Sequence, residues 1–237
     1  MKLFVSDLHL DPTNPQSLKP FRDCLERYRD GLAELYILGD LFEFWIGDDY
    51  VPATAKETAV LLKGLSERGV GVFFMAGNRD FLLGEEFASH CGMTILDDPT
   101  VITINGKPTL LSHGDHLCTD DHVYQAIRAK VRDPQWQQAV LAQTVEQRLA
   151  MANEARDESQ RHTGEAAEEI MDVNPDAVMS CMTKAGVQQM IHGHTHRPGD
   201  HALVVNDAPA RRIVLGDWYK PEHVHIALDD RLLPFPG

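Results

Sequence analysis

The chain has 237 residues, 43% of them hydrophobic, which suits one domain with a substantial core. Its formal net charge of −14 argues against broad binding to nucleic acid, because affinity for a phosphate backbone comes from clustered Lys and Arg that release counterions. Cys24, Cys91, Cys118 and Cys181 are scattered without a C-x-x-C pair, so the reading is reduced thiols rather than a disulfide framework or a zinc knuckle.

Residues 2–6 read as a buried strand, and the polar break at Ser6-Asp7 comes too early for a secretory signal core. Leu18, Phe21, Leu25 and Tyr28 recur at helical spacing and predict a helix over 16–29. A strand over 35–38 ends at Gly39-Asp40, residues 53–68 have helical composition, and the apolar run 70–75 ends at Gly77-Asn78. This alternation predicts a layered α/β core with parallel pairing among the early strands.

Asn105-Gly106 favours a tight turn, so 102–104 is predicted to pair with 109–111, leaving His113 at the end of the second strand. Residues 119–171 turn to Ala, Gln, Glu and Arg, with Trp136, Val140, Leu141, Val145 and Leu149 at helical spacing; they read as an inserted helical subdomain. Asn174-Pro175 starts a helix reaching about 184. Strand signals return at 189–191, 202–205, 211–215 and 224–227, the last three reading as the antiparallel outer part of a second sheet. No apolar stretch is long enough to span a bilayer, so the expectation is a cytoplasmic protein, at most peripheral to a membrane.

Five pieces of chain carry hard-metal donors in short polar contexts: Asp7-Leu8-His9, Gly39-Asp40, Gly77-Asn78-Arg79-Asp80, Ser112-His113-Gly114-Asp115 and Gly193-His194-Thr195-His196. Carboxylate, imidazole and amide oxygen suit divalent first-row cations, and strand ends are where open α/β sheets build their sites. Asp7 and His9, two residues apart, would face the same way in extended backbone, and His194 and His196 repeat that spacing. Asp40 has two oxygens with which to bridge two cations, whereas Asn78 offers a neutral carbonyl. His192 continues the alternation backward, but its place before Gly193 suits a donor behind the ligands. Each motif alone has a plainer reading: an incidental His, a turn Asp, a loop Asn bonding to backbone. Their joint occurrence at strand ends describes a two-metal phosphoester-cleaving site.

In this order, D-x-H, G-D, G-N-x-D, H-G-D and G-H-T-H resemble the calcineurin-like metallophosphoesterases. The resemblance implies a four-layer α/β fold, a β-sandwich of two mixed sheets flanked by helices. Four segments are more specific: Leu38-Gly39-Asp40 through Gly47-Asp48-Asp49, Gly77 to Leu82, Ile191 to Pro198 and Arg212 to Trp218 resemble the UDP-2,3-diacylglucosamine diphosphatases. By that resemblance Asp7, His9, Asp40 and His196 hold one ion, and Asp40, Asn78, His113 and His194 the other, two Mn2+ per chain being usual. It also implies substrate contacts from Asn78, Arg79, Asp121, Ser159, Thr163 and His194. The implied substrate is UDP-2,3-diacylglucosamine, cleaved at the α-phosphorus in lipid A biosynthesis on the cytoplasmic face of the inner membrane. One departure stands out: relatives tend to carry a lysine where this chain has Ala166, and Arg161 or His162 could compensate.

The wider superfamily commonly has His after the Asn of G-N-x-D, where it can protonate a leaving alkoxide. Here Arg79 stays charged and cannot act as an acid. This suits a diphosphate substrate, whose leaving phosphate monoester has a second pKa of about 6 and departs without a proton. Arg79 can instead meet phosphate oxygens bidentately. The competing readings are another enzyme of the superfamily acting on phosphomonoesters or nucleotides, and a non-catalytic scaffold on the same fold. Arg79 and the long insertion weigh against the first, the complete donor set against the second.

Overall fold

The computed structural model describes residues 1–165 and 172–235, without the side chains of 159, 160 and 162–165. Strands and helices alternate through the first part: β1 (Lys2–Val5), α1 (Leu18–Arg27), β2 (Glu34–Leu38), α2 (Ala53–Ser66), β3 (Gly71–Met75), α3 (Glu85–Cys91) and β4 (Met93–Leu96). A hairpin of β5 (Thr100–Ile104) and β6 (Lys107–Ser112) precedes the helices α4 (His122–Val131), α5 (Pro134–Leu141) and α6 (Val145–Glu165). The chain ends through α7 (Pro175–Ala185), β7 (Gln189–His192), β8 (Gly199–Val205), β9 (Ala208–Val214), β10 (His225–Leu228) and β11 (Arg231–Pro234).

These strands form two mixed sheets, ordered β11-β10-β1-β2-β3-β4 and β5-β6-β7-β9-β8. β1 to β4 pair in parallel, as do β6, β7 and β9. Strand alternation assigns each side chain to a layer. Phe4, Tyr36, Leu38 and Met75 of the first sheet meet Leu111, Ile191, Ile213 and Leu215 of the second, filling the space between the sheets. Their neighbours Leu3, Val5, Leu35, Ile37 and Phe74 point the other way, into a core completed by Phe21 of α1, Leu62 of α2 and Phe87 of α3. On the outer face of the second sheet, Leu110 and Met190 pack with Val178 and Met182 of α7. The result is the expected four layers, helix, sheet, sheet, helix.

The hairpin forms about the expected turn but in a tighter register than 102–104 against 109–111: Ile102 lies opposite Thr109 and Ile104 opposite Lys107, while Leu111 faces Thr100. Asn105 and Gly106 adopt φ of +49° and +78°, the left-handed pair of a type I′ turn. Three further details differ from expectation. The last predicted strand, β10, belongs to the first sheet, antiparallel to β1, because the chain crosses between sheets after β9. The short α3 and β4 carried too little periodicity to be foreseen. The stripe from Trp136 to Leu149 spans two helices, since α5 ends at Leu141 and α6 begins at Val145.

Gly216 lies on that crossing: its amide donates to His225 O at 3.0 Å, and a Cβ there would fall 1.9 Å from His223 O. Backbone on both sides leaves no room to yield. Gly216→Ala is therefore expected to destabilise the protein by about 3 kcal/mol, read as a lower urea midpoint.

Candidate active site

Parallel strands end at the same edge, so the loops after β1, β2 and β3 of one sheet meet those after β6 and β7 of the other. Asp7 N donates to Gly39 O at 3.1 Å, His9 N to Asp40 O at 2.9 Å, and Gly193 N to His113 O at 2.9 Å. The two same-side pairs arise differently from the extended geometry expected. Asp7, His9, Asp40, His194 and His196 all have positive φ, between 48° and 70°. Each strand end curls left-handed, and that curl turns both members of D-x-H and H-T-H to one point. Non-glycine residues rarely adopt this conformation, and its concentration at one place marks a functional site.

The donors converge as two overlapping groups. The donor atoms of Asp7, His9 and His196 lie within 4.8 Å of one another, as do those of Asp7, Asp40 and His113. His9 Nε2 is 3.3 Å from His196 Nε2, while Asn78 Oδ1 is 3.0 Å from His113 Nε2 and 2.9 Å from His194 Nδ1. Asp40 Oδ2 sits between the groups, 3.9 Å from His9 Nε2 and 3.8 Å from His113 Nε2.

Divalent cations fit this arrangement, on three grounds. His113 Nδ1 donates to Leu38 O at 2.9 Å, which turns Nε2 toward the Asn78 carbonyl oxygen at 3.0 Å, so two ligand-type atoms meet at one point. Asp7 Oδ1 is buried without a hydrogen-bond partner; its nearest basic neighbour is His196 Nε2 at 3.4 Å. The site also carries excess negative potential. Burial lowers the pKa of His113, but Asp40, Asp7 and Asp115 outweigh it and lift it to about 9. Burial likewise raises Asp7, yet His196, His113 and His9 hold its carboxyl well below the usual carboxylate range. His194 is depressed to about 3 by burial and by His113, so its ring is neutral and able to ligate.

Behind the donors stand residues that composition and spacing did not single out. Asp80, fully buried, accepts the amides of Leu41 at 2.7 Å and Gly77 at 2.8 Å, with Asp40 and Phe42 at 3.3 and 3.4 Å, clamping the loops of β2 and β3 together. Glu43 Oε2 is 3.1 Å from His9 Nδ1 and accepts the Tyr219 hydroxyl at 2.9 Å; the Tyr219 ring stacks on His9 with centroids 4.7 Å apart. His192, expected behind the ligands, has Nδ1 2.9 Å from Gly193 O and Nε2 3.1 Å from Arg212, and burial keeps it neutral, at about 3.

Asp115 of H-G-D is an anchor: it accepts Tyr124 Oη at 2.9 Å and Arg128 Nε at 2.8 Å from α4. Arg132 of α4 donates to Ala76 O and Gly77 O, and buried Arg148 of α6 reaches Ile46 O and Asp49. The helices between β6 and α7 are thus tied to the loops that carry the donors. A third acidic group, Asp98, Asp115 and His116, lies beside this anchor, where arginines meet the Asp115 charge.

Among the expected substrate contacts, Asn78 and His194 are in the cluster, and Arg79 is fastened to it by its amide, 2.8 Å from Asp40 Oδ1. Asp121 caps α4, accepting Tyr124 N at 2.9 Å. The side chains of Ser159, Thr163 and His162, and Ala166 altogether, lie outside the described residues; Arg161 pairs with Glu158 at 2.6 Å.

A family profile described as calcineurin-like phosphoesterase matches residues 3–198. The chain is 49% identical over 225 residues to a UDP-2,3-diacylglucosamine hydrolase of Xanthomonas oryzae pv. oryzae, covering 92% of this chain and 91% of the relative. To the protein of that name from Chromohalobacter salexigens it is 45% identical over 232 residues, covering 98% and 94%. Among solved structures, Yfce, a phosphoesterase from E. coli, aligns over 99% of this chain and 92% of its own at TM-score 0.47 and 14% identity, too distant to bear on chemistry.

Equilibrium dialysis against a divalent cation followed by elemental analysis should find two ions per chain. Asp40→Ala is expected to weaken both and His196→Ala to lose one; full loading of Asp40→Ala would show that this carboxylate does not bridge.

Proposed function

The chain belongs to the calcineurin-like phosphoesterase family, and from that premise we propose that it hydrolyses the diphosphate bond of UDP-2,3-diacylglucosamine. Water attacks the α-phosphorus, giving UMP and 2,3-diacylglucosamine 1-phosphate, a step of lipid A biosynthesis. Near-full-length similarity to proteins bearing that name supports the substrate. The observation that carries the chemistry is that Arg79, which cannot act as an acid, is the residue whose backbone amide is fastened to Asp40, where a proton donor would otherwise be wanted.

Asp7, His9, Asp40 and His196 would hold one divalent cation, and Asp40, Asn78, His113 and His194 the other, manganese in this reading. Bound there, the cations would supply an activated water and neutralise the phosphoryl oxygens. The chain's residues then position and compensate. Asp80 keeps Asp40 and Asn78 in register, and Leu38 O and Glu43 orient the His113 and His9 rings. Burial pushes the Glu43 carboxyl up, but His9 and then Arg79 bring it below its ordinary value, so the Arg79 charge is felt on the His9 side of the cluster. There Arg79 can hold diphosphate oxygens without giving up a proton, which suits a phosphate leaving group.

The helical insertion is the element we assign to the acyl chains. Val123 and Ile127, one turn apart on α4, and Leu141 on α5 are 61%, 48% and 43% exposed, an apolar surface on helices tied to the site by Arg128, Arg132 and Arg148. No helix among the described residues is long and apolar enough to cross a membrane. Contact with the cytoplasmic face of the inner membrane would accordingly be peripheral, through this surface and the substrate's own chains.

Hydrolysis in 18O-water, with both products analysed by mass spectrometry, should place the label in UMP and none in the lipid phosphate. Label in the lipid product would move the attack to the other phosphorus. Arg79→Lys is expected to lower kcat/KM on the order of 100-fold despite keeping the charge; near-normal turnover would remove Arg79 from the mechanism.

A further inference from the structure

A cavity of about 490 Å³ lies against the donor cluster, with His9 and Glu43 in its wall and no residue of α4. The remainder of the wall comes from the loop after β1, the start of α1, the segment between β9 and β10, Phe235 after β11, and one residue of α6, Arg156. We propose that this cavity receives the nucleoside monophosphate half of the substrate, with Arg156 meeting its phosphate and the β9–β10 segment meeting its base. The assignment rests on the proposed function and specifies which half of the molecule lies where.

Three features carry it. Arg156 is half-buried in the cavity wall, and no hydrogen bond or ion pair among the described residues engages it. The carboxylates that share the cavity wall are otherwise occupied: Glu43 with His9 and Tyr219, and Asp11 with the amide and hydroxyl of Thr13, each at 2.7 Å. A guanidinium held beside a phosphoryl-transfer site without an acidic partner among the described residues suits a phosphate.

The second feature is the wall's mixture of aromatic and amide groups. Tyr219 stacks one face on His9 yet is 56% exposed, so the residue offers a platform for a flat ring, beside the indole of Trp218. Asn14 and Gln16, exposed at the rim, carry side-chain amides that complement the alternating donors and acceptors of a pyrimidine edge. An acyl chain in the same space would strip water from Arg156, Asp11 and Glu43 without replacing their hydrogen bonds.

The third is placement. The cavity wall includes His9, whereas Tyr124 of α4 stands over His194, a donor of the other group, with ring centroids 5.7 Å apart. A molecule cleaved at its central diphosphate must send its two halves in different directions, and the apolar surface of α4 and α5 already suits the lipid half.

Calorimetric titration of metal-loaded protein with UMP, and separately with 2,3-diacylglucosamine 1-phosphate, tests this without turnover. Arg156→Ala, and Ser17→Trp to fill the cavity, are each expected to weaken UMP at least tenfold while leaving the lipid phosphate within twofold. Arg156→Lys, which keeps a charge, should recover part of the loss and guards against a folding artefact, as should unchanged melting temperatures. Wild-type protein that does not bind UMP, unaltered UMP binding in Arg156→Ala, or selective loss of the lipid phosphate would each overturn the assignment. Failure to cleave the glycolipid while UMP binding follows the expected pattern would overturn only the proposed reaction.

Discussion

The donor atoms of this site repel one another, and the fold holds them together regardless. His113 Nε2 faces the carbonyl oxygen of Asn78, two imidazole nitrogens stand 3.3 Å apart, and Asp7 and Asp40 are buried within reach of each other. The histidines offset only part of the acidic charge, which leaves a gap. What closes it is backbone: amides exchanged between the β1 and β2 loops and between the β6 and β7 loops, five left-handed residues at about 1–3 kcal/mol each, and Asp80 drawing the β2 and β3 loops onto one carboxylate. Strain of this kind persists where packing over-determines the geometry, and binding of cations would relieve it.

The two sheets provide that over-determination. Parallel strands of each sheet deliver their ends to one edge, and the apolar layer led by Phe4, Leu38, Leu111 and Ile191 fixes how the edges face each other. Glycine is needed where backbone passes closest to the donors. A Cβ at Gly77 would meet Asp40 Oδ1 at 2.1 Å, and Gly39, with φ of +89°, passes beside the His113 ring. The net charge of −14 is thus partly a local property, concentrated where cations bind and met elsewhere by arginines that tie the inserted helices down.

The motifs could be read in the chain because donors of the right chemistry followed apolar runs, and an apolar run followed by Gly-Asp or Gly-Asn says strand end without knowledge of the sheet. The hairpin at Asn105-Gly106 was legible for the same reason, a local φ requirement met by particular residues. Asp80 and Asp115 were visible only as members of motifs. Their tasks, collecting amides from two loops and anchoring α4, depend on groups up to 40 residues away. Glu43 and Tyr219 lie 176 residues apart and meet at 2.9 Å, a contact with no trace in spacing.

By itself the sequence determined the layered α/β class, the order of the strands that carry donors, and the chemical type of each donor, since these follow from local periodicity and from side-chain identity. Only the tertiary structure decided that β10 returns to the first sheet, that D-x-H and H-T-H converge by left-handed backbone instead of an extended one, and that Arg156 of a distant helix faces the same cavity as His9. The physical reason is range: periodicity and turn chemistry act over a few residues, whereas sheet order, loop curl and cavity walls are set by packing between segments that meet only after the chain has folded.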